Sequence, residues 1–288
     1  LKVAHCNDPD CSGGDESISV VATHRVDQIA LELDTTGNPL IAHFEQHGTP
    51  PDLTWDLKVA HCNDPDCTGS DESIALIDPE ADPLIGTPLL ELDPAGNAIV
   101  LYTATGGLRL LHCNNVDCAG GDESITKLGI ITRGAIALAV ASGGHPSIAY
   151  VDHDPADLEP PFDAVIALLR CNDPNCRGDD ELATKVVPRI DPAQIDTMSL
   201  AVDRSGNPAI AFHRLSILDP GAESEVVLAR CDDTDCRERS LVSIGQGGHP
   251  ALELDAAEHP MIAYYSTEVD GRVVKLAHCD DVACLSTG

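Results

Sequence analysis

The chain has 288 residues, and 48 acidic residues against 17 basic ones give it a formal net charge of −31 at pH 7. Nucleic-acid binding needs Lys and Arg to displace counterions, so this charge excludes that class of function. No apolar run approaches membrane-spanning length, which argues against membrane insertion. Aromatic residues make up only 3% of the chain, so the core is predicted to be aliphatic.

The cysteine content indicates the compartment. Twelve cysteines are too many for a reduced cytosolic protein that holds no metal. The sequence therefore predicts an extracellular or cell-surface protein. Leu1 already lies inside a repeat and there is no initiator Met, which predicts a processed product or an excised piece of a longer chain.

A unit reading LKVAHCNDPDC begins at Leu1 and recurs along the chain. In each copy a short apolar strand leads into a turn-rich loop bounded by two cysteines, and a second strand returns, which is the pattern of a β-hairpin. The copies start near residues 1, 57, 108, 166, 226 and 274.

A second hairpin lies between consecutive Cys units. It reads IALELDTTGNPLIAHFE from Ile29, with further copies from Pro88, Ile136, Met198 and Pro250. A turn rich in Gly, Asn, Asp and Pro separates its two apolar runs. Each period therefore holds four strands, a to d, that are apolar on both faces, as is typical of sheets covered on both sides. We predict an all-β fold, a β-propeller of four-stranded antiparallel blades, as a single repeat domain over residues 1–288.

The blade count depends on the chain ends. Six Cys hairpins favour six blades, with five or seven as alternatives. The first blade lacks strands a and b, and the last lacks strand d. Unpaired strand edges invite association, so we predict self-association through these ends or a protein partner.

The Cys unit together with the upstream D-x-x-G-N-P-x-I-A block resembles a propeller-like repeat of secreted proteins from myxobacteria and other environmental bacteria. The resemblance covers essentially the whole chain. It departs from the pattern at Asn97-Ala98 and at Glu258-His259-Pro260. What it implies is an extracellular repeat scaffold with no defined activity.

The two cysteines of each unit are separated by four residues, and a hairpin brings such positions within the disulfide window of about 4.4–6.8 Å between Cα atoms. Zinc is the alternative, because most units also place a His before the first cysteine. Arg170 and Arg230 take that position in two units, which argues against a common metal role. We predict six local disulfides: Cys6–Cys11, Cys62–Cys67, Cys113–Cys118, Cys171–Cys176, Cys231–Cys236 and Cys279–Cys284.

The Cys loops concentrate oxygen atoms that suit calcium, the one cofactor suggested by the sequence. The calcium candidates are Asp64, Asp66, Asp71 and Glu72. Their spacing does not match a D-x-D-x-D-G loop, and Asp or Asn in a turn more often bonds its own backbone. We therefore favour turn chemistry and solubility over a metal. Another aspartate recurs at the end of strand a and is predicted to accept backbone N–H groups across the a–b turn; its copies are Asp34, Asp93, Asp203 and Asp255.

No catalytic motif such as G-x-S-x-G or H-E-x-x-H occurs. We interpret the chain as an extracellular structural or interaction scaffold, a subunit of a surface assembly or filament, without enzymatic activity. The alternative is a glycan- or protein-binding module that uses the variable b–c connections, where Trp55 lies in one predicted loop and Asp152, His153 and Asp154 lie in another. A glycoside hydrolase or lyase would need two carboxylates facing each other in one pocket, and the sequence does not locate such a pair.

Overall fold

A computed structural model describes residues 1–8, 10–48, 52–69, 71–83, 86–132, 134–153, 164–178, 180–190, 195, 197–214, 224–266, 273–282 and 284. Within these ranges the secondary structure comprises twenty β-strands, and no α-helix is present. No helix that could cross a membrane occurs in the described part of the chain.

The chain divides into two compact units, of which the first spans Leu1–Ile130. Its strands are β1 (Lys2–His5), β2 (Ser17–Val20), β3 (Val26–Leu33), β4 (Pro39–His47), β5 (Thr54–His61), β6 (Ser73–Ala81), β7 (Leu89–Leu92), β8 (Ala98–Ala104), β9 (Gly107–His112) and β10 (Ser124–Lys127). Strands β1 and β2 form a two-stranded sheet, while β3 to β10 form an eight-stranded one.

The second unit spans Ile131–Gly288. Its strands are β11 (Ile136–Val140), β12 (Pro146–His153), β13 (Ala164–Arg170), β14 (Leu182–Ile190), β15 (Met198–Val202), β16 (Pro208–Arg214), β17 (Glu225–Cys231), β18 (Arg239–Leu254), β19 (Pro260–Ser266) and β20 (Val273–His278). Strands β11 to β14 form a four-stranded sheet, and β15 to β20 form a six-stranded one.

Four consecutive antiparallel strands are the recurring element of the larger sheets. The eight-stranded sheet consists of β3–β6 and β7–β10, which are joined where Ala81 of β6 pairs with Ala104 of β8. In the six-stranded sheet the first half of β18 pairs with β17 and its second half pairs with β19, with a register irregularity between Gly248 and Ala251. The predicted all-β antiparallel architecture is confirmed, while the number of blades stays a prediction.

The apolar strands pack on both faces. On β4, Leu40 and Phe44 point into one cluster together with Val100 of β8. Ile41 points to the opposite face, where it packs with Val3 of β1. Complete burial of a Leu or Phe side chain contributes roughly 1.5–3 kcal/mol, so packing on both faces compensates for the near absence of aromatic residues.

The six predicted disulfides are all present, with Cα–Cα distances from 4.8 to 5.1 Å. The second cysteine of every pair has a positive φ, between 44° and 55°. In the loop after β5, Cys67 N–H donates to the carbonyl of Asp64 at 3.1 Å, which closes a tight turn. No cysteine is free, so the alternative of zinc bound by thiolates is wrong.

Candidate functional site

Each sheet has two ends with different chemistry. One carries the Cys loops and the a–b turns, and we name it the Cys-loop end. The other carries the b–c connections, and we name it the connection end.

The aspartate of the a–b turn acts as predicted. In the β3–β4 turn, Asp34 Oδ1 accepts the backbone N–H groups of Thr36 at 2.8 Å and Asn38 at 2.9 Å. Gly37 in this turn has a φ of 88°, in the left-handed region that favours glycine. The same pair of bonds recurs at Asp93, Asp203 and Asp255.

The second oxygen of this aspartate binds a basic side chain at the end of strand c. His61 Nε2 lies 3.0 Å from Asp34 Oδ2, and Arg230 Nη2 lies 2.7 Å from Asp203 Oδ2. The spacing of residues in the sequence does not predict this contact. The sequence does carry a sign of it, because the aspartate position and the basic position vary together. In the β11–β12 turn Ala141 replaces the aspartate, and Arg170 of that repeat contacts Asp235 instead. The remaining pairs are His112–Asp93 and His278–Asp255.

The Cys-loop carboxylates also bind within the protein. Asp66 Oδ1 lies 2.7 Å from His5 Nδ1 of the preceding hairpin, and Asp64 Oδ1 accepts the N–H of Asp66 at 2.8 Å. Glu72 accepts the N–H of Asn63 at 3.0 Å. The described contacts of this loop are therefore turn and bridging contacts, and calcium binding there stays a prediction.

A group of polar side chains lies at the connection end of β4 and β5. It consists of His24, Glu45, His47, Asp56 and Lys58, and we name it the Glu45 cluster. Strand pairing places Glu45 opposite Asp56. Because side chains alternate along a strand, Glu45 and His47 share a face of the sheet.

Glu45 is the centre of this cluster. Its side chain is only 2% exposed, and Lys58 Nζ lies 2.9 Å from its Oε1. His47 Nε2 lies 3.3 Å from the same oxygen and 2.9 Å from Asp56 Oδ2. His24 Nδ1 lies 3.5 Å from Glu45 Oε1. Two carboxylates thus converge on one imidazole nitrogen.

Two groups at this end have shifted pKa values. Burial raises the pKa of Glu45, but the hydrogen bond and charge of Lys58, with the charges of His24 and His47, outweigh burial and leave it below its usual range. On the same face, desolvation lowers the pKa of the fully buried His43 to about 4. Near neutral pH, Glu45 is therefore ionised and His43 is neutral.

The Glu45 cluster is specific to one repeat. The other repeats place Ala104, Asp152, Arg214 and Ser266 in the position of Glu45. A side chain required for sheet packing would recur, as the apolar positions beside it do. The variation instead fits a local chemical role on a shared scaffold.

A second ionic cluster at this end connects β6 to β8 and β9. Arg109 Nη1 lies 2.6 Å from Asp78 Oδ2, and Tyr102 donates to the same oxygen at 2.7 Å. Burial and the Asp78 carboxylate raise the pKa of Tyr102. All three side chains are buried, so we interpret this cluster as structural.

The predicted binding residues belong to different compact units, Trp55 to the first and Asp152 and His153 to the second. The prediction of Trp55 in a loop is wrong: Trp55 lies in β5, pairs with Gln46 and packs against the apolar cluster that includes Phe44. Asp152 is half-buried near the end of β12, and His153 is the last residue of that strand. Asp154 lies outside the described residues.

Open cavities also occur at Cys-loop ends in the described part of the chain. One of about 340 Å³ lies between Leu76 and the loop containing Cys118. One of about 220 Å³ lies beside Arg170 and Asp235. Neither is lined by the Glu45 cluster; the second is lined by two carboxylates, Asp180 and Asp235, of which Asp235 is paired with Arg170.

No protein-family model matches the chain, and no curated protein matches it in sequence. Solved structures share its fold. An α-L-arabinanase of Penicillium chrysogenum complexed with arabinobiose is 11% identical over 87% of this chain and 78% of its own, with a TM-score of 0.51. The polysaccharide lyase Uly1 is 9% identical over 88% of this chain and 57% of its own, with a TM-score of 0.50. The chain thus spans less than two thirds of that lyase.

At these identities the likeness shows the fold alone, a propeller-like all-β fold. It nevertheless corrects one conclusion. The repeats and disulfides led to the interpretation of a structural scaffold, part of a surface assembly, without enzymatic activity. The comparison contradicts that interpretation, because solved structures that share this architecture include an arabinanase and a polysaccharide lyase.

Proposed function

We propose that the chain is a carbohydrate-active enzyme that cleaves a polysaccharide, with Glu45 and Asp56 as its two carboxylates. The observation that carries the proposal is their convergence on His47, at 3.3 Å and 2.9 Å from one nitrogen. Two oxygens placed in this way are closer together than the roughly 6.5–9.5 Å between the carboxyl groups of inverting glycosidases. The spacing therefore favours a retaining hydrolase.

The surroundings of Glu45 and of His47 support a role for each of them. Glu45 is ionised because Lys58 holds its pKa low, so it suits the nucleophile rather than the acid. His47 Nε2 lies between the carboxylates and can hold the proton that the leaving oxygen needs. The side chains of His24 and His47 are 69% and 39% exposed, so a sugar would approach the buried Glu45 past these imidazoles.

The fold comparison supports the class of substrate. The two solved structures with TM-scores of 0.50 and 0.51 are a polysaccharide lyase and an arabinanase bound to arabinobiose. A fold hosts many activities, so this support is an analogy, and the carboxylate pair carries the residue assignment.

The test is cleavage of arabinan, xylan and a uronic-acid polysaccharide by the oxidised protein. New reducing ends without unsaturated sugar are expected, and Glu45→Gln and Asp56→Asn should each lower the rate at least about 100-fold. The control is Glu80→Gln, a carboxylate on β6 outside the Glu45 cluster, which should keep the rate. Unsaturated products would indicate a lyase, and equal rates for Glu45→Gln and the unmodified protein would refute the assignment.

The remaining alternative is a glycan-binding module. Affinity electrophoresis in gels that contain the same polysaccharides tests this alternative. Retardation by a polysaccharide that is not cleaved under any condition would favour binding over catalysis.

We also propose a six-bladed propeller that is extracellular. Six Cys hairpins support the blade number, and six disulfides support an oxidising compartment. A crystal structure would count the blades, and immunoblots of culture medium against cell lysate would test the location.

A further inference from the structure

Three side chains with metal-binding atoms meet at the Cys-loop end of the last repeat. Asp255 and His259 belong to the β18–β19 turn, and His278 ends β20. One ligating atom from each lies within 4.8 Å of the other two. Asp255 Oδ2 is 2.8 Å from His278 Nε2 and 3.9 Å from His259 Nδ1. Two imidazoles and a carboxylate form a ligand set that suits zinc and other divalent transition metals.

The carboxylate is oriented by its own turn. Asp255 Oδ1 accepts the backbone N–H groups of Ala257 at 2.8 Å and His259 at 2.9 Å. Oδ2 is thereby left facing the two imidazoles. Asp255 N–H in turn donates to the carbonyl of His259 at 3.0 Å, so one short turn holds the backbone of two of the three ligands.

The third ligand is held by the neighbouring disulfide loop. His278 immediately precedes Cys279, which is bonded to Cys284. Cys279 N–H donates to the carbonyl of Pro260 at 2.9 Å, and this ties the end of β20 to the start of β19. The Asp255 carboxylate and the backbone of both histidines are thus held by contacts that do not involve a metal, which lowers the cost of binding one.

Comparison with the other a–b turns shows what is distinctive here. The β7–β8 and β15–β16 turns have Asn97 and Asn207 in the position of His259, and their amides donate to the aspartate at 3.0 Å and 3.1 Å. His259 lies too far from Asp255 for such a bond. The β11–β12 turn also has a His, His145, but Ala141 replaces its aspartate. Among the five described turns, only the last combines the aspartate with two histidines.

The neighbouring acidic residue is already engaged. Glu258 Oε1 accepts the backbone N–H of Arg204 at 2.8 Å. The other groups with metal-ligand spacing contain Cys113 with Cys118 and Cys171 with Cys176, whose sulfurs are in disulfides and are not thiolates. Of these groups in the described part of the chain, the one in the last turn is therefore the one whose atoms are all available to bind a metal ion.

We propose that Asp255, His259 and His278 bind one divalent transition-metal ion of the zinc class, with the remaining coordination positions open to solvent. The site lies at a Cys-loop end and does not depend on the proposed polysaccharide cleavage. Nitrogen ligands favour Zn²⁺ over Ca²⁺, which prefers oxygen, so excess Ca²⁺ should occupy the acidic surface without displacing the bound ion.

The experiment is calorimetric titration of the oxidised protein with Zn²⁺ in excess Ca²⁺. One ion per chain is expected. His259→Asn, which installs the residue used by three other turns, should raise the Kd at least about tenfold, since even outer-shell changes cost 10–100-fold. His278→Arg, the residue used at 170 and 230, should do the same. The matched control is His145→Asn, which should leave the Kd unchanged.

A spectroscopic readout locates the ion independently of affinity. Added Zn²⁺ should shift the imidazole NMR signals of His259 and His278 but not that of His145. The proposal is overturned if the unmodified protein binds no Zn²⁺ in Ca²⁺, or if His259→Asn and His278→Arg bind it as tightly as the unmodified protein does. If one variant fails to fold, as judged by circular dichroism, the other decides.

Discussion

The imidazole of His61 lies 3.0 Å from the Asp34 carboxylate that caps the β3–β4 turn. Its other nitrogen lies 2.8 Å from Asp117 in the Cys loop of the next hairpin. One side chain therefore joins a strand, the turn of its own repeat and the loop of the following one. Burial lowers the pKa of His61, but its bonds to Asp117 and Asp34 outweigh burial and raise it above the usual range.

This contact predicts a pH-dependent stability. Because the pKa of His61 is raised in the folded state, its contribution to the free energy of unfolding is fully present below the unfolded pKa of about 6.5. That contribution is lost as the pH rises through the folded pKa. His61→Arg, which introduces the residue found at the equivalent position 230, should keep its stability through this range, because arginine stays charged. Urea unfolding at several pH values measures both proteins.

The magnitude of the same contact is tested by truncation. His61→Ala should lower the free energy of unfolding by about 2 kcal/mol below pH 6, since hydrogen bonds to charged groups contribute roughly 1.5–3 kcal/mol. An identical pH profile for the unmodified protein and His61→Arg would contradict the assigned protonation.

Breaking the ion pair of Arg230 and Asp203 should lower the free energy of unfolding more than His61→Ala does. Both side chains are 6% exposed, with 2.7 Å between Nη2 and Oδ2. Arg230→Ala removes the only positively charged partner that the described residues supply to this buried carboxylate, so we expect a loss of about 3–5 kcal/mol in urea unfolding. Arg204→Ala is the control, because Arg204 is 75% exposed and should cost less than about 1 kcal/mol. Equal losses for the two variants would show that the burial of an ion pair does not determine how much its removal lowers the free energy of unfolding.

The disulfide loops should lose stability both when the bond is removed and when a residue unsuited to a positive φ replaces the second cysteine. Replacing Cys62 and Cys67 by serine should cost about 2 kcal/mol, because the loop closed by the bond is short. Cys67 has a φ of 48°. Glycine adopts this conformation readily, so the pair Cys62→Ser with Cys67→Gly should be about 1 kcal/mol more stable than the double serine variant. Thermal unfolding of both variants tests this, and a less stable glycine variant would contradict it.

The sequence predicts local structure better than contacts between distant segments. The hairpins and disulfides depend on residues within one repeat, such as the turn from Asp34 to Asn38, and their prediction is confirmed. The contact of His61 with Asp34 joins positions 27 residues apart, and spacing alone does not reveal it. The wrong position of Trp55 has a similar cause: β5 begins at Thr54, because pairing with β4 extends the strand beyond its apolar run.

The Glu45 cluster escapes sequence-based prediction for a related reason. Its members belong to β4, β5 and the segment before β3, and they meet only when the strands pair. A signal is present when the repeats are aligned with one another, because the position of Glu45 varies while its apolar neighbours recur. Variation of a single polar position within a repeat is thus a useful sign of local chemistry.

Lys58 is expected to control the ionisation of Glu45. Burial alone would raise the Glu45 pKa, and Lys58, 2.9 Å away, is the strongest of the groups that lower it. Lys58→Met removes both the hydrogen bond and the charge, so the pKa of Glu45 should rise. Since the folded pKa is depressed, the stability that Glu45 contributes is present above its unfolded value of about 4.3 and is lost as the pH falls through the folded value. In the variant the folded pKa is higher, so this pH-dependent contribution to stability should be smaller.

The direct measurement is an NMR titration of the Glu45 carboxyl carbon in the unmodified protein and in Lys58→Met. The control is Lys127→Met on β10, an exposed lysine outside the Glu45 cluster, which should leave the titration unchanged. If the chain cleaves polysaccharide as proposed, the acid limb of its rate profile should move to higher pH in Lys58→Met by the same amount as the NMR titration, because both report one carboxylate. A Glu45 pKa that does not respond to Lys58→Met would show that the ion pair does not set the charge of this carboxylate, and the nucleophile would then have to be sought elsewhere.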